Sequence, residues 1–142
     1  MNLKVLCKKI LSLNMVSYEE VQASNTRIAA TLPVGLVAVF VGATNGIGEY
    51  TLKQFAKHTR EPRVYFIGRS QEAGDRIQKE CEALNSNGSF TFIKADTSLI
   101  RNVDGLCRDI KAKEKKINLL FMSIGTLDFH KSKWSIQGSC PY

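Results

Sequence analysis

No stretch of the 142-residue chain reaches the roughly 18 consecutive apolar residues of a membrane-crossing helix, so no membrane span is expected. Proline is scarce, at three, and the ten glycines are an ordinary number, which excludes collagen-like and low-complexity classes. The four cysteines, Cys7, Cys81, Cys107 and Cys140, stand too far apart for a metal-ligand pair or a dense disulfide framework. The two histidines, His58 and His130, have no ligand-type residues at metal-binding spacing beside them, so no metal site is expected. His58 reads instead as the close of a helix. The opening segment, Met1–Leu13, is apolar but interrupted by Lys8 and Lys9, which makes a poor secretory signal. With free thiols this implies an intracellular, cytoplasmic chain. Leu3, Leu6, Ile10 and Leu13 also align on one helical face, which leaves an interfacial amphipathic helix as an alternative.

Acidic residues are outnumbered, 13 against 20 basic, for a formal charge of +7. Such an excess suits an anionic partner when it is clustered. The one dense run, Lys111-Ala-Lys-Glu-Lys-Lys116, falls where a helix is expected to end, and cations there meet the negative end of the helix dipole. No aromatics interleave with it to stack bases, so nucleic acid is not an expected partner. What remains, 44% hydrophobic and 23% charged residues, is the composition of one globular domain.

From residue 36 the hydrophobic periods alternate. Leu36-Val-Ala-Val-Phe-Val41 is a continuous apolar run of strand length, as in a strand buried on both faces. Ile47, Leu52, Phe55 and Ala56 recur at helical spacing between Gly46 and His58, and Pro62 stops that helix. Val64–Ile67 is a second strand; Ser70 is a candidate N-cap for a helix marked by Ile77, Cys81 and Leu84; Asn85–Gly88 is a turn. Phe90–Ile93 is a third strand, Ile100, Val103, Leu106, Cys107 and Ile110 form a helical stripe over 99–115, and Ile117–Met122 is a fourth strand. The order β-α-β-α-β-α-β predicts parallel strands with right-handed crossovers. Residues 1–35 and 130–142 carry no such pattern and are expected to be an N-terminal extension and an irregular tail around a domain at 36–129.

Strand one runs directly into Gly42-Ala-Thr-Asn-Gly46-Ile-Gly48, where the helix begins. A phosphate-bearing ligand needs close backbone approach, which a Cβ obstructs, and donors, which the free N–H groups of a helix N-terminus supply. Strand before, helix after and a βαβ unit around them favour a dinucleotide over a merely tight turn. The spacing Gly-x-x-x-Gly-x-Gly, read with the strand order, resembles the short-chain dehydrogenase/reductases, whose loop is Thr-Gly-x-x-x-Gly-Ile-Gly; Val41 stands here in place of the Thr. The resemblance runs from about Leu36 to Gly125, and Leu119–Gly125 looks similar to an atypical fungal subset found among natural-product oxidoreductases.

That resemblance implies a Rossmann-like α/β fold with helices on both faces of a parallel sheet, truncated after strand four, and hydride transfer between a nicotinamide dinucleotide and a carbonyl or alcohol of a small-molecule substrate. It implies cofactor contacts from Gly42, Thr44, Asn45, Gly46, Ile47, Gly48 and Gly125, and an adenine contact from Asp96, which is also a candidate cap for the next helix. Just after strand two an acidic residue would accept from an NAD ribose, whereas Arg69 can form a fork on the 2′-phosphate of NADP, which favours NADP(H) over NAD; a solvated Arg69 is the alternative. The family's loop after strand four reads Asn-Asn-Ala-Gly, whereas Met122-Ser-Ile-Gly125 keeps only the glycine. The family's proton chemistry uses Tyr-x-x-x-Lys. None of Tyr18, Tyr50, Tyr65 or Tyr142 has a lysine four places on, so no catalytic residue is assigned. An inactive nucleotide-binding fragment, or the product of a degraded or mispredicted gene, is therefore the alternative to an enzyme. The apolar Leu119, Leu120 and Phe121 are expected on an open sheet edge, a candidate surface for self-association that Trp134 or Ile136 would cover in small part.

Overall fold

A computed structural model describes residues 16–125 of the chain. The expectations for Met1–Leu13, His130, Trp134, Ile136, Cys7, Cys140 and the 130–142 tail lie outside the described residues. Among the described residues two helices precede the first strand, α1 (Tyr18–Thr26) and the single-turn α2 (Ile28–Thr31), where the periodicity predicts no element. The start of α1 is set locally by a capping box. The Ser17 hydroxyl accepts from the Glu20 N–H at 3.2 Å, and the Glu20 carboxylate accepts from the Ser17 N–H at 3.0 Å. This helix buries no residue, so it has no apolar stripe by which to be recognised.

There follow β1 (Val37–Val41), α3 (Gly46–His58), β2 (Arg63–Gly68), α4 (Gln71–Leu84), β3 (Ser89–Lys94), α5 (Ile100–Lys113) and β4 (Leu119–Met122). The element order is the predicted one. β4 starts later than Ile117 because Asn118 is used to close the sheet: its N–H donates to the Val37 carbonyl at 2.8 Å and its Oδ1 accepts from the Val37 N–H at 3.0 Å. Ser70 caps α4 as predicted, accepting from the Ala73 N–H, and Lys111 and Lys113 fall in the last turn of α5.

All strand pairs are parallel, in the order β3-β2-β1-β4. Two steps run outward from β1 on one side and β4 lands on its other side, which places α3 and α4 on one face and α5 on the opposite one. On the first face Ala38, Phe40, Val64, Phe66 and Phe90 pack against Leu52 and Ala56 of α3 and Ile77 and Cys81 of α4. On the other, Val37, Val39, Tyr65 and Ile67 meet Ile110, the one buried residue of α5.

The second face is thin, which corrects the predicted stripe of α5. Ile100 is 81% exposed and Cys107 is exposed, because among the described residues α5 lies on that face without a neighbouring helix. On the β4 edge, Leu119 and Phe121 pack into the α3/α4 core, while Leu120 and Met122 are 56% and 68% exposed. Among the described residues no helix is long and apolar enough to cross a membrane.

Leu52 is fully enclosed between α3, α4 and the sheet. Leu52→Ala is expected to lower unfolding free energy by about 2–5 kcal/mol, read from the urea midpoint at unchanged slope.

Candidate nucleotide-binding site

The carboxyl ends of the four strands open into a cleft of ≈ 640 Å³. Gly42, Thr44, Asn45, Gly46 and Ile47 line it from the loop after β1, Arg69 from after β2, Asp96 from after β3, and Gly125 from after β4. Of the sequence-predicted site residues, Gly48 alone is not on the wall: it lies buried behind the loop.

Two close approaches explain Gly42 and Gly48, while Gly46 is in the left-handed region, at φ +59°, with open space beside it. A Cβ on Gly48 would collide with the Gly42 carbonyl oxygen, so only a glycine lets the first turn of α3 back onto the end of β1. Gly42, at φ +84°, is in the left-handed region, and a Cβ there would stand 2.7 Å from the Ser123 carbonyl oxygen. The β1 loop and the β4 loop are thereby brought into backbone contact. Asn45 is the N-cap of α3 but makes no side-chain cap hydrogen bond, so the first-turn N–H groups lack an intrahelical acceptor and a side-chain one. A diphosphate fits this arrangement: the backbone is bare where it must approach, and donors with the positive end of the dipole face it.

Thr44 shows a contact that the sequence did not disclose. A Cβ on Gly68 would collide with the Thr44 Cγ2, so the bare end of β2 is what allows the loop to fold over it. The signal available was a glycine ending a strand directly before Arg69. Ser123 and Ile124 also line the cleft. Ile47 lies at its mouth, 75% exposed, rather than on the core stripe of α3.

Arg69 is exposed and makes no ion pair or hydrogen bond among the described residues. The Asp96 carboxylate accepts from the Ser98 hydroxyl at 2.7 Å and the Ser98 N–H at 3.1 Å, an Asx turn. Those bonds, with a smaller contribution from the charge of Arg69, hold its pKa below the ordinary carboxylate range. The cap reading of Asp96 is corrected: the N-cap of α5 is Leu99, without a side-chain bond, and Asp96 braces the preceding loop instead. Its carbonyl also accepts from the Asn102 side chain at 2.8 Å.

Behind the loop, Glu49 of α3 is held by Arg76 of α4 through two bonds of 2.9 and 3.0 Å, and by Lys53 at 2.6 Å. The Arg76 fork is the main reason that the Glu49 carboxyl is lowered from 4.5 to about 2. Burial pushes the Cys81 thiol up to about 11, which makes it an inert core residue. Among the described residues no three His, Cys, Asp or Glu side chains group to hold a metal.

A parallel sheet with a glycine loop where the strand order reverses, between β1 and β4, defines a Rossmann-type nucleotide-binding unit. The family model for short chain dehydrogenase matches residues 36–136, and the chain belongs to that family of NAD(P)-using oxidoreductases. The oxidoreductase AN1596 of Emericella nidulans is 43% identical over 124 residues, covering 87% of this chain and 37% of its own length. That similarity agrees with the fungal likeness of the β4 segment. The chain thus spans less than two-fifths of the length of this curated relative.

Among solved structures, an N-terminal ketoreductase from the macrolactin assembly line superposes with a TM-score of 0.62 at 22% identity, covering 72% of this chain and 22% of that one. L-sorbose reductase from Gluconobacter frateurii, complexed with NADPH and L-sorbose, has a TM-score of 0.59 at 19% identity, covering 66% and 34%. At these identities the likeness is one of fold.

The lowered Glu49 carboxyl contributes stability that is present above pH 4.5 and lost as pH falls toward 2. Between about pH 5 and pH 2.5 the urea midpoint of the wild type is expected to fall more steeply than that of Glu49→Gln; parallel curves would contradict this.

Proposed function

We propose that residues 36–129 form the cofactor-binding part of an NADP(H)-dependent short-chain dehydrogenase/reductase, a cytoplasmic enzyme that moves hydride between the dinucleotide and a carbonyl or alcohol of a small-molecule substrate. Residues 1–35 and 130–142 stand outside that part as an extension and a tail. The observation that carries the reading is Arg69, a cleft-lining guanidinium with no ion pair or hydrogen bond among the described residues, at the end of the strand where an adenosine ribose is read in this fold. The NADPH complex of the similarly folded L-sorbose reductase supports it.

In this reading the loop after β1 and the first turn of α3 take the diphosphate through backbone N–H groups: Gly42 and Gly46 present bare backbone to the cleft, Gly48 lets the turn back onto the end of β1, and Thr44 and Asn45 form the adjoining wall. Ile47 covers the cofactor from the mouth of the cleft. Asp96, held ionised and fixed by Ser98, accepts from the adenine amino group, and Gly125 lets the ribose lie close to the end of β4. Arg69 forks onto the 2′-phosphate. When bound, the dinucleotide supplies the hydride chemistry, while these residues bind and orient it.

A second reading, a nucleotide-binding chain without turnover, is favoured by the absence of a Tyr-x-x-x-Lys pair from the 142 residues. The 142-residue chain is accordingly expected to bind NADPH without reducing carbonyls, and reproducible NADPH-dependent turnover by the purified chain would contradict that.

Arg69→Asp is expected to weaken NADPH on the order of 10- to 100-fold and to leave NADH little changed or tighter, since a charge-assisted fork is replaced by a carboxylate facing a phosphate. Fluorescence titration of both cofactors against both variants checks this. An equal loss for the two would mean that Arg69 serves the fold rather than the 2′-phosphate.

A further inference from the structure

The two ends of the proposed dinucleotide site sit on different helices. The diphosphate seat is the first turn of α3, and Arg69 lies at the head of α4, separated from it by the cap residue Ser70. Directly behind the cleft these helices are bridged by ions. Glu49, in the first turn of α3 with only 13% of its side chain exposed, presents both oxygens to the two terminal nitrogens of Arg76 of α4. Lys53, one turn further along α3, meets the same carboxylate and also Glu80 of α4, which Arg76 reaches in turn at 3.0 Å. A fork with two parallel bonds fixes orientation as well as distance, which a single lysine contact does not. Neither Glu49 nor Arg76 lines the cleft.

Resting on the dinucleotide reading, we propose that Glu49 and Arg76 are positioning residues. The fork between them sets the spacing of the diphosphate-binding turn of α3 relative to Arg69, and so sets cofactor affinity without contact with the cofactor. The fork and simple electrostatics call for opposite effects at Glu49. Glu49→Gln removes a negative charge from the turn that faces the phosphates and leaves Arg76 and Lys53 less neutralised, so a purely electrostatic role would tighten the dinucleotide. Loss of the fork should loosen it.

The test titrates NADPH and NADH by fluorescence against the full chain as wild type, Glu49→Gln, Arg76→Met, Arg76→Lys and Glu80→Gln, with a thermal melt of each. Glu49→Gln and Arg76→Met are expected to weaken both dinucleotides about 3- to 5-fold, with the greater loss for NADPH, while Glu80→Gln, which keeps the fork, changes affinity less than about twofold. Arg76→Lys retains charge and helix contact, so it guards against misfolding and should fall between wild type and Arg76→Met.

Unchanged or tighter binding by Glu49→Gln, with a lowered melt, would overturn the proposal and leave the network a stabilising one only. An equal loss in Glu80→Gln would overturn it as well, since any change of charge in the network would then suffice. A wild type that binds neither cofactor removes the dinucleotide reading itself, and this inference with it.

Discussion

The close approach of three backbone segments at the end of β1 is the constraint on which the rest depends. Gly48 backs onto the Gly42 carbonyl, and Gly42 in turn backs onto Ser123. Neither contact tolerates a Cβ, so side-chain packing cannot substitute for them. They aim α3 across the sheet so that Leu52 and Ala56 reach the core, and they fix the distance between the loops after β1 and β4. Cleft and core are therefore two sides of one geometric condition, and the cleft sits at the switch point because β1 is the strand from which the chain departs in both directions.

Around that point the packing is uneven. One face carries two helices and a continuous aromatic core in which the Phe40 ring centroid lies 5.6 Å from that of Phe55 and 5.5 Å from that of Phe121, and Phe66 lies 5.2 Å from Phe92. The other face rests on α5. There the Glu114 carboxylate, just past the end of α5, accepts from the side chains of Arg63 at 2.8 and 3.0 Å and from the Tyr65 hydroxyl at 3.0 Å, anchoring that helix to β2 at the edge remote from the cleft. A polar anchor supplements an apolar contact that amounts to Ile110 with partial help from Leu106.

Much of this was legible in the residues. The inner strands are continuous apolar runs because both their faces are covered, and such runs are bounded by what interrupts them. The glycine loop, Arg69 and Asp96 could be read because each is a local departure at a strand end. What escaped depends on contacts distant in sequence or on elements without periodicity. α1 starts at a capping box but buries nothing, so periodicity had nothing to register. Gly68 and Thr44 meet only once two loops converge, and Glu49 and Arg76 lie 27 positions apart on faces that no hydrophobic period marks. Asn118 reads as strand by propensity of its neighbours, yet its side chain serves a backbone 81 positions away.

The pairing of β4 with β1 has a kinetic meaning as well. The units β1-α3-β2 and β2-α4-β3 join neighbours in the chain, whereas β4 must return across the intervening strands and helices to reach β1. Non-local pairing of this kind forms more slowly than local pairing, because closure entropy is lost before the contacts are made. Because Gly42 completes its contact only against Ser123, the nucleotide loop acquires its final shape when β4 arrives. Assembly of the binding wall and docking of β4 are then one event, so a ligand gripping that loop draws β4 toward its place beside β1 by mass action.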